Sequence, residues 1–391
     1  MNLFNQALEF ENRPNPYPIY AQMGPLHRQD DGTWVATSKD VIAQLLVDPR
    51  LSSDPRLKTA AGRIEVEVEA MGRPPFLLLD PPHHDRLRRL VSKHFGPALI
   101  ASLEPRIHAL VADCLDRHPT GMDVIGDLAY PLPVQIICDI LGVPAKDEPR
   151  FRDWSEKLAD TLDLLRTPEQ EYNVPGAVAH LDLAFYVSNL LAERRGNPQG
   201  DMLSALSVET EMSDLEIIQT VILLLLAGHE TTVNLIGNGV LALLRFPHCW
   251  ARLAQEADWI EPVVEEILRF DPPIQFRTRT ALAPIPIDGQ VIPAGAQVVL
   301  LLAAGQRDSK HFASPNVFDP DRPVQPLLAF GLGIHFCFGA PLARLEGRIA
   351  LGELARRLQE PRLLEDPPPY RKNPALRGPS SLPIAYAGVR P

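Results

Sequence analysis

The sequence predicts a mainly α-helical protein with a minor β portion, and three observations carry that reading. An apolar pattern at helical spacing runs unbroken from Ser213 to about Arg245. Shorter segments with the same period flank it on both sides. Strand-like runs bounded by turn residues are confined to 32–37 and 276–302.

In chain order, GTWVAT at 32–37 reads as a strand, and Ser38 then caps a short helix, KDVIAQLLV. Helical patterns follow at 85–95, 97–118, 122–141 and 147–165. RTPEQEYNVPG at 166–176 is expected to be a mobile lid, and a helix at 177–196 follows it. SDLE at 213–216 is a capping box, in which Ser213 and Glu216 close the first turn's free amides. The helix it opens would be ~50 Å long at 1.5 Å per residue, enough to cross a whole domain. Both of its faces are apolar around 217–227, which makes it central. Helices at 248–257 and 259–270, strands at 276–282, 291–292 and 297–302, and a helix at 341–358 complete the pattern. There is no internal repeat or low-complexity linker, so residues 1–391 are expected to form one domain.

The composition, 45% hydrophobic and 22% charged over 391 residues, allows a large core. A net charge of −11 is not that of a nucleic-acid binder. Four scattered cysteines without CxxC spacing speak against a disulfide scaffold or zinc ribbon and for a reducing compartment. The N-terminus has no basic region followed by an apolar run, and the longest apolar run, VILLLLAG at 221–228, is too short to span a bilayer. The expectation is a cytoplasmic protein with no membrane contact.

Three motifs carry chemistry. AGHETT at 227–232 sits in the middle of the central helix. Taken alone it reads as a small-residue helix crossing with a polar patch. Yet Gly228 costs the helix about 1 kcal/mol relative to Ala, and Glu230 is an acid in an apolar helix, expensive unless paired or functional. Thr231 and Thr232 can bond back to helical carbonyls and distort the helix. Small residues at 227–228 clear a flat space, and an acid and a hydroxyl beside it can pass protons to something bound there. VVEEILRFDPP at 263–273 sets Glu266 and Arg269 at i,i+3 among apolar residues; the expected role is structural, tying this helix to the loop at 305–322. FGLGIHFCFGAPLAR at 330–344 surrounds Cys337 with glycines. A buried inert thiol, a nucleophile, a zinc ligand and a heme ligand compete for it. Zinc needs three or four ligands, and only His335 is near. Glycines that admit a large flat body and turn amides toward the sulfur favour an axial thiolate.

FGLGIHFCFGAPLAR resembles the heme-binding loop of the cytochrome P-450 superfamily, F-x-x-G-x-[HR]-x-C-x-G, with Phe330, Gly333, His335, Cys337 and Gly339 in place. AGHETT resembles that family's oxygen-activation motif, Glu266 and Arg269 its ExxR, and DPPHHDRLRRLVSKHF at 80–95 the start of its propionate-binding helix. The resemblance runs from about residue 14 to the end. It implies the P-450 fold, a long central helix over the heme beside a small β-rich lobe, and heme b (iron protoporphyrin IX) with Cys337 as the iron's axial ligand. His84, Arg88, Arg279 and His335 would hold the propionates, with Arg277 close enough in sequence to compete for Arg279's role. Ala227 and Gly339 would lie against the heme, Phe330 near its thiolate side, and Thr231 with Glu230 would route protons to oxygen. Departures are small: Leu332 replaces a frequent histidine, and Phe338 a usual leucine, which changes packing beside the sulfur.

The activity so implied is a monooxygenase reaction, hydroxylation or epoxidation, that inserts one atom of O2 into a hydrophobic small molecule. No GxGxxG follows a strand, so electrons would come from a ferredoxin and its NAD(P)H-dependent reductase. Arg86, Arg89, Lys93, Arg344 and Arg348 would form a basic docking face for an acidic ferredoxin. The substrate pocket would draw on 55–79, 150–185, 222–231 and 274–276, with Leu77, Leu78, Leu226, Ala227, Ile274 and Phe276 lining it. Gln275, Arg63 and Glu65 would add polarity. Oxidative coupling or ring formation, a heme sensor without turnover, and, more distantly, a heme-free cysteine hydrolase are the alternative classes.

Overall fold

Local signals place the helices that build the site. The computed structural model describes residues 2–54, 74–159 and 174–391. Ser38 accepts a hydrogen bond from the Val41 amide and so starts α1 (Lys39–Leu46). Leu87, Leu90 and Val91 give α2 (His83–Ser92) one buried stripe. Proline in the first turn opens both α3 (Pro97–Arg117) and α4 (Pro131–Leu141). Next come α5 (Glu148–Ala159) and α6 (Val174–Gly196). The Ser213–Glu216 capping box then opens the 32-residue α7 (Asp214–Arg245). Pro272 and Pro273 prevent extension of α8 (Ile260–Phe270), and α9 (Ala340–Arg357) starts directly behind the cysteine loop.

Buried side chains from both faces of α7 join one large core with α3, α4, α8 and α9. A second layer is a five-stranded sheet of β1 (Leu26–Arg28), β2 (Trp34–Ala36), β3 (Leu51–Ser52), β4 (Arg277–Ala281) and β5 (Gln297–Leu300), ordered β1-β2-β5-β4-β3. Only the β2–β5 pairing is parallel. In β4, Arg277 faces Leu300 and Arg279 faces Val298 across the ladder. The architecture is the expected one, mainly helical with small sheets.

Two expectations change. The segment 122–141 is not one helix. Gly121–Asp123 is a strand paired to Pro383–Ala385, Val124–Ala129 is a π-helical turn, and α4 begins only at Pro131. The missing amide of Pro131 explains the break. Judged by whole helices rather than by uninterrupted apolar runs, Val124–Leu141 and Asp214–Arg245 are long and apolar enough to cross a membrane. They are 72% and 78% buried inside the protein, as core elements are. Residues 160–165 of the expected helix and 166–173 of the expected lid lie outside the described residues.

Glu266 and Arg269 are both buried and form a two-pronged pair at 2.6 and 2.7 Å. Arg269 also donates to the carbonyls of Gln306, Pro315 and Val317, while Glu266 accepts from the Asp319 amide and from Arg322. The helix is thereby tied to the loop that leads to Phe330.

Candidate active site

One face of α7, the loop from Ala329 to Gly339, the start of α9 and the segment from Pro273 to Arg279 surround a cavity. Its walls are largely apolar: Leu77, Phe95, Leu223, Leu224 and Ile274 line it, and Ala227, Gly228 and Thr231 face it from α7.

The cysteine loop is shaped by its own backbone. The Cys337 amide donates to the Phe330 carbonyl at 2.9 Å, closing the loop on itself. Gly331 and Gly333 take φ of 71° and 69°, values that favour glycine. At Gly333 a Cβ would also crowd Val47 and the Leu46 carbonyl. The Cys337 sulfur lines the cavity. Burial pushes its pKa up; the amides of Gly339 and Ala340 and the charges of Arg277 and Arg88 pull the other way without reversing it. The expectation that peptide amides favour the thiolate therefore holds in direction only. Phe338 packs against Phe76 and edge-on against Phe95, with the Arg88 guanidinium over its ring. Arg344 stacks over Phe330.

The edge of the cavity beside His335 tests whether the residues fit a porphyrin. His84 Nε2 and His335 Nδ1 are buried without a hydrogen-bond partner, their rings 4.4 Å apart. Burial and the charges of Arg279, His84, Arg88 and Arg277 push the His335 pKa down to about 3. Burial and neighbouring Arg277 push that of Arg279 down to about 10. A cluster of cations and orphan ring nitrogens is disfavoured until anionic acceptors arrive. The residues fit a group with two carboxylates at this edge and a metal above Cys337.

On α7 the AGHETT motif divides its side chains. Thr231 faces the cavity and donates to the Ala227 carbonyl at 3.1 Å, and the helix stays α-helical throughout. Gly228 relieves packing as well, since a Cβ there would lie 3.0 Å from Ile137. Glu230 turns away from the cavity lining and is buried, with Arg371 at 2.5 Å and His229 Nε2 at 3.4 Å. Burial alone would raise its pKa, but His229 and Arg371 outweigh it and hold the carboxyl below its ordinary 4.5. A depressed folded-state pKa stabilises the fold above the unfolded value and loses that contribution as pH falls through the folded one. The thermal midpoint of the wild type is therefore expected to fall more steeply below about pH 4.5 than that of Glu230→Gln. Parallel melting curves from about pH 5 down to about pH 3 would refute the pairing.

Other site residues are dispersed. Phe276 packs with Phe4 in a separate cluster, Gln275 bonds Tyr20 and the Pro272 carbonyl, and neither lines the cavity. Leu78 and Leu226 are also absent from its walls, and Arg63 and Glu65 lie outside the described residues. The expected basic docking face is neutralised: Arg86, Arg89 and Lys93 pair with Glu216, Glu211 and Glu209, and Arg344 and Arg348 with Glu265 and Glu261. Arg371 and Ser53, which lies 3.0 Å from His335 Nε2, carried no motif by which the sequence could have shown them.

Fold and cavity together define a heme-dependent oxidoreductase. The chain belongs to the cytochrome P450 family of monooxygenases, whose family model matches residues 33–380. It is 39% identical to the vitamin D(3) 25-hydroxylase of Pseudonocardia autotrophica over 95% of this chain and 93% of that protein. It is 38% identical to the monooxygenase PikC of Streptomyces venezuelae over 97% and 93% of the two chains. The ligand-free crystal structure of CYP164A2 from Mycobacterium smegmatis superposes with a TM-score of 0.90 at 42% identity, covering 98% and 99%.

Proposed function

We propose that the whole chain acts as one cytoplasmic catalytic domain that holds heme b and hydroxylates or epoxidises a hydrophobic small molecule. The observation that carries this reading is the cavity itself, with Cys337 on one wall, Thr231 on another, and orphan His84 and His335 nitrogens at its edge. Cys337 ligates the iron, while His84, Arg88, Arg279 and His335 take the propionates. Bound there, the heme supplies the iron at which O2 is reduced and one oxygen atom is transferred to carbon. Thr231 holds a hydroxyl proton at the cavity wall, and the Glu230–Arg371 pair fixes the helix turn behind it. The apolar walls favour an apolar substrate, as does kinship with a vitamin D(3) hydroxylase. Electrons come from a ferredoxin and its NAD(P)H-dependent reductase.

The test is reconstitution of purified protein with a ferredoxin and its reductase, after a ligand screen that follows the heme spectrum. NAD(P)H- and O2-dependent product carrying one added oxygen is expected; heme-free protein would end the reading. Thr231→Ala is expected to lower product per NAD(P)H by about 10²-fold, the lower end of what a positioned proton-transfer group contributes, while NAD(P)H consumption continues. Unchanged coupling would exclude Thr231 from the proton path.

A further inference from the structure

Arg277 is left over once the residues assigned above to the porphyrin carboxylates are set aside. Arg88 is anchored on the Phe336 carbonyl at 2.5 Å. Arg279 donates to the Thr278 carbonyl at 2.9 Å and feels the charge of Asp80. Arg277 forms no side-chain hydrogen bond or ion pair among the described residues, and burial lowers its pKa against the pull of the Cys337 sulfur alone. That sulfur is reserved for the metal.

Its place on β4 matters more than its lack of a partner. Side chains alternate across a strand, so Arg277 and Arg279 share the face that lines the cavity, about 7 Å apart along the chain. The charges of both arginines reach His335, but only that of Arg279 also meets Asp80. Arg277 shares the cavity's lining with Ile274 and Pro273, three and four residues before it. Buried Phe276 and Thr278 on either side, with pairing to Leu300, hold its backbone in place. A guanidinium so placed offers a rigid two-pronged donor beside an apolar chamber, and an incoming carboxylate would satisfy a cation that is costly to leave unpaired.

Resting on the heme reading above, we propose that Arg277 determines specificity by binding a carboxylate of the substrate, so that this enzyme selects apolar molecules that carry an acid group.

The test titrates the heme-loaded protein with dodecanoic acid, an arylalkanoic acid and a steroid acid, each against its own primary alcohol, following the ferric Soret shift. The wild type is expected to bind at least one acid about tenfold more tightly than its alcohol, as charge-assisted pairs allow. Arg277→Gln is expected to lose that preference while keeping its heme content, and Arg277→Lys to retain part of it. If no acid outbinds its alcohol, the proposal is overturned. It is overturned equally if Arg277→Gln is purified with less heme, because Arg277 would then be a propionate ligand. Should Arg277→Gln fail to fold, the wild-type acid–alcohol comparison and the lysine variant decide. A wild-type chain that takes up no heme removes the underlying reading first, and this proposal with it.

Discussion

Cys337→Ala is expected to give a folded chain without the thiolate-type Soret band of a reduced carbon monoxide adduct, and with monooxygenase activity at background. The fold should survive because the loop is closed by the backbone bond from the Cys337 amide to the Phe330 carbonyl, which the substitution leaves in place. The sulfur lines the cavity instead of filling the core, so its loss leaves little void, and apo-protein stability should change by about 1 kcal/mol or less. The chemistry cannot survive in the same way. Electron density from an axial thiolate is what favours O–O cleavage, and none of the other three cysteines lines the cavity. Cys114 and Cys138 are buried thiols whose pKa burial pushes up, to about 11 and about 12. The propionate cluster would still attract a porphyrin, so any heme retained is expected to show an altered spectrum; a wild-type spectrum in the alanine variant would dismiss Cys337 as the ligand.

Arg269→Ala is expected to be the most destabilising single substitution outside the cavity. It strands the Glu266 carboxylate in the core and leaves the carbonyls of Gln306, Pro315 and Val317 without their donor. Breaking a buried pair by removing one partner costs ~3–5 kcal/mol, a large share of the 5–15 kcal/mol or so that holds a typical protein folded. The damage should reach the heme, because those carbonyls belong to the loop that precedes Phe330. Low yield, poor heme content and a thermal midpoint about 4–6 °C below wild type are the expected readings. Arg269→Lys should recover little, since one ammonium cannot reproduce the planar fork on both Glu266 oxygens. A variant that melts within about 1 °C of the wild type, a shift corresponding to about 1 kcal/mol or less in a chain of this size, would show the pair to be dispensable.

What the sequence made legible was local. The capping box at Ser213 and the Glu266–Arg269 spacing each lie within one helical turn, and the turns formed as written. Pro131 was likewise a visible signal for the break in 122–141, overridden by the apolar run around it. Strand alternation could have separated Ile274 from Phe276 only if the facing layer were known, and that layer includes Phe4 at the far end of the chain. Pairing was less legible still. Glu230 meets Arg371 from 141 residues away, and Lys93 meets Glu209 from 116.

The order of residues by itself determined where the helices begin, which loop bends around Cys337, and which hydroxyl follows the small residues of α7, because hydrogen bonds and backbone sterics over a few residues decide such things. Tertiary structure alone decided which charges are spent on partners and which stay free. Glu230 and the arginines of α2 are matched by distant groups, whereas Arg277 has no such match among the described residues, since electrostatics acts through space between segments that only folding brings together.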